Sequence, residues 1–199
     1  MVTSASHRRG AVRRAELLDG LVVLFLSEGF LAFSVESLAH RLQCSKSTLY
    51  DVAPSKEQLI TVVVRDFFRR ATERVEQSLA AVPEPVGRIG AYLDAISAEL
   101  APASRQFFDD LEAFAPAREF YARNTDLAAL RVQQLVAESQ GEARHLDAAF
   151  IGVVAGLVMR GIQRGEVEQL TALDSAASYQ ALADLIEAGL TGTPVRSDQ

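Results

Sequence analysis

The sequence predicts an all-α protein of about nine helices, divided between a small N-terminal domain and a larger helical one. Three observations predict it. Glycine and proline are sparse, twelve and six in 199 residues. The breaks at Gly29, Pro54, Pro83, Pro85, Pro102, Pro116, Gly141, Gly165 and Pro194 leave long intervals that suit helices better than strands. Within those intervals apolar residues recur at i, i+3, i+4, i+7. With 49% hydrophobic and 23% charged residues, the chain is apolar enough to bury a real core and is not of a disordered type.

Composition excludes several classes. The one cysteine, Cys44, cannot form an internal disulfide, and His7, His40 and His145 show no ligand spacing, so no metal or other cofactor is expected. Arg8, Arg9, Arg13 and Arg14 followed by "LVVLFL" superficially suggest a signal peptide, but Glu16 and Asp19 interrupt the approach and the apolar run is too short. The longest apolar run, residues 148 to 159, falls short of the ~20 residues that span a membrane. A cytoplasmic protein without membrane association is expected. The net charge of −6 is unevenly placed. Residues 1 to 50 carry Arg8, Arg9, Arg13, Arg14, Arg41 and Lys46 against Glu16, Asp19, Glu28 and Glu36, a balance of +2. That suits a nucleic-acid reader confined to one end of an acidic body.

The first helix is expected from Ala11 to Glu28, with Leu18, Leu21, Val22 and Phe25 on one face, ending at Gly29. Ser34 has the chemistry of an N-cap for a short second helix bearing Val35, Leu38, Ala39 and Leu42. After a break at Gln43, Cys44 and Ser45, Ser45 caps a third helix that starts at Lys46 and turns Leu49 inward, so that Lys46, Ser47, Thr48 and Tyr50 point outward. Two short helices joined by a tight turn and packed on a longer one make a helix-turn-helix, slim enough for the major groove. Hydroxyls, an ammonium and helix amides are the donors that phosphate oxygens and base edges accept. An ordinary αα corner with a solvated face has the same pattern.

The run "SVESLAHRLQCSKSTLYDVAPSKEQL", preceded by "LFLSEGF", resembles the N-terminal domain of the TetR family of transcriptional regulators. Leu38, Ala39, Ser45, Lys46, Thr48, Leu49, Tyr50, Ser55, Lys56, Glu57 and Leu59 are in register with the family pattern. Gln43 stands where the family usually has a glycine with φ > 0, Ser47 replaces a frequent Gly and Cys44 a frequent Val. Val52 and Ala53 replace an aromatic or His and a Phe. Cys44 is expected to be a small buried filler. The resemblance implies that Ser34, Ser45, Lys46, Ser47, Thr48, Tyr50 and Lys56 meet double-stranded operator DNA, with Lys56 on a phosphate.

Ser55 and Gln58 form a capping-box pattern that opens a fourth helix reaching about residue 81. Five further helices are expected over 86 to 101, 103 to 114, 117 to 140, 146 to 164 and 174 to 190. Their aromatics are the natural core. The resemblance implies that some line an effector site, for which Tyr92, Phe107, Phe108, Phe114, Tyr121, Asn124 and Met159 are the candidates. The stretch "LDAAFIGVVAGLVMRG" is apolar nearly all round and needs cover on both sides. A second copy of the chain would supply it, with Gly152, Gly156 and Met159 meeting Tyr179, Leu182 and Ile186 in a four-helix interface.

The expected organisation is an arm over residues 1–10, a helix-turn-helix domain over 11–53 with its motif at 34–53, a connecting helix over 54–82, a ligand-binding and dimerisation domain over 83–190 and a tail over 191–199. The expected function is that of a homodimeric repressor, not an enzyme, released from a palindromic operator by a small apolar effector. A helical ligand-binding or interaction protein with a degenerate reader is the rival, motivated by Gln43, Val52 and Ala53. An enzyme is the third reading, but the paired carboxylates of "DDLE" at 109–112 point to different parts of a helix, and no nucleophile, metal or phosphate-loop motif accompanies them.

Overall fold

The computed structural model describes residues 3–140 and 146–191. Its helices are α1 (Thr3–Glu28), α2 (Val35–Arg41), α3 (Lys46–Tyr50), α4 (Lys56–Ala80), α5 (Gly87–Leu100), α6 (Arg105–Ala113), α7 (Ala115–Gln140), α8 (Ala148–Gln163), α9 (Glu166–Thr171) and α10 (Ser175–Thr191). Among the described residues there is no strand. The arm expected over residues 1–10 is helical from Thr3 onward. Met1, Val2, the expected break at Gly141, His145 and the tail after Thr191 lie outside the described residues, as do the side chains before Val12.

The chain forms two compact units, residues 1–70 with 102–121, and residues 71–101 with 122–199. In the first, α1 buries Leu17, Leu21, Leu24, Phe25 and Leu26. Leu18 and Val22, expected on that face, are half-buried. Gly29 ends α1 at φ +76, a conformation that glycine adopts without strain. Ser34 caps α2 and exchanges hydrogen bonds with Ser37, a serine filling the capping-box role usual for Glu or Gln. At the turn into α3, Gln43 takes φ +49. The left-handed position anticipated from the missing glycine is therefore real, and a residue with a Cβ occupies it. Leu38 and Leu49 of the α2–α3 corner have almost no exposure. Ser55 accepts from the Gln58 amide at 3.2 Å and starts α4.

A chain of rings completes this unit. Phe25 packs on Phe30 at 5.4 Å, Phe30 on Phe107 at 6.0 Å and on Phe114 at 6.4 Å, Phe107 on Phe67 at 5.9 Å, and Phe68 on Tyr121 at 5.5 Å. Most of these pairs are tilted or edge-on, the favoured geometry for aromatic quadrupoles.

In the second unit, Ile89, Tyr92 and Leu93 of α5 pack with Tyr179, Leu182, Ala183 and Ile186 of α10, over Val132, Leu135 and Val136 of α7 and Ala155, Met159 and Ile162 of α8. The Gly90 amide donates to Glu187 at 2.9 Å and ties α5 to α10. Pro116, expected to divide two helices, lies in the first turn of α7, where its missing N–H is harmless; the break falls at extended Phe114 instead. A short α9, absent from the expected set, fits between Gly165 at φ +70 and Ala172 at φ +58.

Candidate nucleic-acid interface

The corner of α2 and α3 gathers the predicted contact residues on one exposed face. Ser45, Lys46, Ser47 and Tyr50 are exposed and Thr48 is half-buried. The Ser45 Oγ accepts from the Thr48 amide at 3.1 Å and lies 2.7 Å from the Ser47 Oγ and 2.8 Å from the Thr48 Oγ1. Three hydroxyls thus share one local network at the start of α3, and their protons can be turned outward to a phosphate or base acceptor. Ser34, on the same motif, uses its hydroxyl to accept from the Ser37 amide at 3.0 Å.

Four cations of this region are engaged with the protein itself. Lys46 pairs with Glu36 of α2, and its ammonium holds the Glu36 carboxyl below the ordinary range. Arg41 pairs with Glu28 and lies 5.9 Å over the Phe33 ring. Arg14 reaches within 3.5 Å of the Val52 carbonyl. Lys56, implied as a phosphate contact, is half-buried and donates to the Leu31 carbonyl at 2.7 Å. It can meet a phosphate only by leaving that carbonyl or by using another of its three donors. Cys44 is half-buried, not buried as expected, and partial burial pushes its thiol pKa up, which disfavours the reactive thiolate.

One determinant of this corner lies far away in sequence. Asp110 of α6 is 4% exposed, and its carboxylate accepts from the Phe30 amide at 2.5 Å, the Leu31 amide at 2.8 Å and the Gln106 side chain at 2.8 Å. The turn between α1 and α2 is thereby fixed by Asp110 and, through the Leu31 carbonyl, by Lys56. No spacing rule connects Asp110 with residues 30 and 31.

The other predicted sites divide by unit. Phe107, Phe108, Phe114 and Tyr121 belong to the first unit's ring chain. Tyr92 and Met159 are core residues of the second, and Asn124 is half-buried there. In that core the Gln163 side chain donates to the Tyr179 hydroxyl and accepts from the Thr125 hydroxyl, both at 3.4 Å. Gly152 and Gly156, expected to admit a second chain, face α7 of their own chain. A Cβ on Gly152 would lie 2.9 Å from the Gln133 Cβ, and one on Gly156 3.1 Å from the Ala129 Cβ. Met159, Tyr179, Leu182 and Ile186 are likewise buried within the unit. The other face of α8 is open, with Phe150, Val153 and Leu157 64%, 59% and 58% exposed.

Among the described residues no group of three His, Cys, Asp or Glu side chains is placed to hold a metal, and no helix is long and apolar enough to cross a membrane.

Residues 17–63 match the model of bacterial regulatory proteins, tetR family. A regulator from Saccharomonospora viridis, solved in complex with choline, shares the fold at a TM-score of 0.71 and 17% identity, over 89% of this chain and 96% of that one. A TetR/AcrR-family regulator from Thermobifida fusca aligns at 0.62 and 21% identity over 90% and 97% of the two chains. A TetR-family regulator from Streptomyces coelicolor aligns at 0.67 and 18% over 89% and 93%. No curated protein sequence matches. Residues 17–63 are thus similar to the tetR family of bacterial regulatory proteins, and the fold over most of the chain is the one seen in these solved transcriptional regulators.

Proposed function

We propose that the chain is a cytoplasmic, homodimeric repressor that reads a palindromic operator through α2 and α3 and is released by a small, mostly apolar effector. The observation that carries this reading is the exposed face of Ser45, Lys46, Ser47 and Tyr50 on a capped helix whose opposite side, Leu49, is buried. A five-residue helix with that division presents donors outward and is held from behind. Dimerisation is supported by Phe150, Val153 and Leu157 on α8 and Leu185 on α10, large apolar side chains left open among the described residues. An effector site in the second unit, around Tyr92 and Met159, is supported by the Thr125–Gln163–Tyr179 chain, which sets a polar handle among apolar walls. Choline in the S. viridis regulator shows that a related fold accepts a small organic molecule.

The test is binding of the full chain to a pool of random-sequence duplexes, with selection of the bound fraction. Enrichment of a palindrome is expected, and Lys46→Ala/Tyr50→Ala, both at exposed positions, should abolish it while helicity is kept. A folded double mutant that selects the same palindrome with unchanged affinity would remove α3 from the interface.

A further inference from the structure

We propose that Glu36 is an intramolecular competitor for DNA: by holding Lys46 it lowers the affinity of the α2–α3 corner for any duplex and flattens its salt dependence. The inference rests on the DNA-reading role above and adds to it a residue that opposes binding.

The cations with described side chains between Val12 and Lys56 are Arg13, Arg14, Arg41, Lys46 and Lys56. Lys56 and Arg14 are directed at carbonyls, Leu31 and Val52, so a phosphate that draws them away exposes no anion. Arg41 is held by Glu28 and by the Phe33 ring together. Lys46 differs from these. It sits at the first position of α3, its one partner among the described residues is a carboxylate, and the side chains of the pair are 51% and 76% exposed. Pairs this exposed are weak and exchange readily with other ions. A phosphate oxygen or a base edge can therefore take Lys46 from Glu36 without disturbing the core.

The exchange leaves Glu36 unpaired beside a polyanion. Glu36 lies in the first turn of α2, just inside the Ser34 cap. The whole first quarter of the chain carries a balance of only +2, so one carboxylate is a large fraction of the field that DNA meets. Added salt loosens the Lys46–Glu36 pair while it screens the phosphates, and Lys46 then contributes less than one full phosphate contact to the salt dependence.

The experiment measures binding of the full chain to a mixed-sequence duplex of about three helical turns by fluorescence anisotropy across a potassium chloride series. Glu36→Gln is expected to tighten binding three- to tenfold at low salt and to steepen the slope of log K against log salt by up to about 0.9 per reader, the remainder of one phosphate contact. In a Lys46→Ala background the same substitution should gain distinctly less, because only the repulsion of the carboxylate is relieved and no cation remains to be released. An equal gain in that background would mean general repulsion and would overturn the competition. No response to Glu36→Gln, or weaker binding as for a residue that positions Lys46, overturns it too. A wild-type chain that binds no duplex at low salt overturns the DNA-reading role itself, and this inference with it.

Discussion

Gly29 and Gln43 both occupy the left-handed region of backbone space, at φ +76 and +49, and they respond to substitution in opposite senses. At Gly29 a Cβ would meet the Asp110 carboxylate and the Gln106 Cγ at 2.6 Å each. Gly29→Ala therefore combines backbone strain with displacement of the acid that anchors the α1–α2 turn, and should lower stability by about 1–3 kcal/mol in urea unfolding. Gln43 has the strain without the crowding, because it is exposed. Gln43→Gly removes about 1–2 kcal/mol of strain against the extra chain entropy of glycine, for a net gain of about 0.5–1 kcal/mol. If the two substitutions shifted the urea midpoint the same way, the turn geometry assigned here would be wrong. The turn at 43 was legible in the sequence because a family pattern wants glycine there; the tolerance of Gln was not, since it depends on open space beside the residue.

At the scale of elements, the caps explain why the first corner is readable and α6 is not. Ser34, Ser45 and Ser55 act on amides three residues away, and such short-range signals survive in any sequence window. Asp110 acts on residues about eighty positions distant, and nothing in "FFDDLEAF" distinguishes it from exposed Asp109. The open face of α8 was hidden for a related reason: an all-apolar pattern states that a helix needs cover, not which side its own chain supplies. The α5–α10 layer makes a separate prediction in alkali. Burial raises the hydroxyl pKa of Tyr92, and that of Tyr179 to about 12, above the unfolded value of about 10. Both groups hold their protons more tightly when folded, so their contribution is complete below pH ~10 and is lost as pH rises through the folded values. Chemical denaturation across pH 9 to 12 should show stability falling only above about 10, with a late tyrosinate absorbance step; Tyr179→Phe should make the fall shallower. A fall that begins well below 10 would exclude these tyrosines as its cause.

For the whole molecule, the two faces of α8 separate folding from the proposed assembly. Gly152→Val drives a side chain into Gln133 and Ala129 of α7 and should reduce stability by about 1–3 kcal/mol, whatever the oligomeric state. Val153→Glu with Leu157→Glu alters only side chains more than half exposed, and should yield a folded monomer in sedimentation with unchanged helicity. DNA affinity should fall with it, because two linked readers gain from effective concentration. A double glutamate variant that still sediments as a dimer would move the interface off α8.

The Asp110 clasp also orders events during synthesis. Residues 1–70 leave the ribosome before the segment 102–121 that completes their unit, and at about 5–20 residues per second the interval lasts roughly 2–10 seconds. Throughout it the Phe30 and Leu31 amides lack their acceptor and Phe30 and Phe67 lack the Phe107 ring. The α1–α2 turn cannot settle until α6 has been translated. A nascent chain thus acquires the Asp110 clasp on its α1–α2 turn only after all of α4, α5 and α6 exist, and a gene fragment that stops at the end of the helix-turn-helix motif encodes a corner without that clasp.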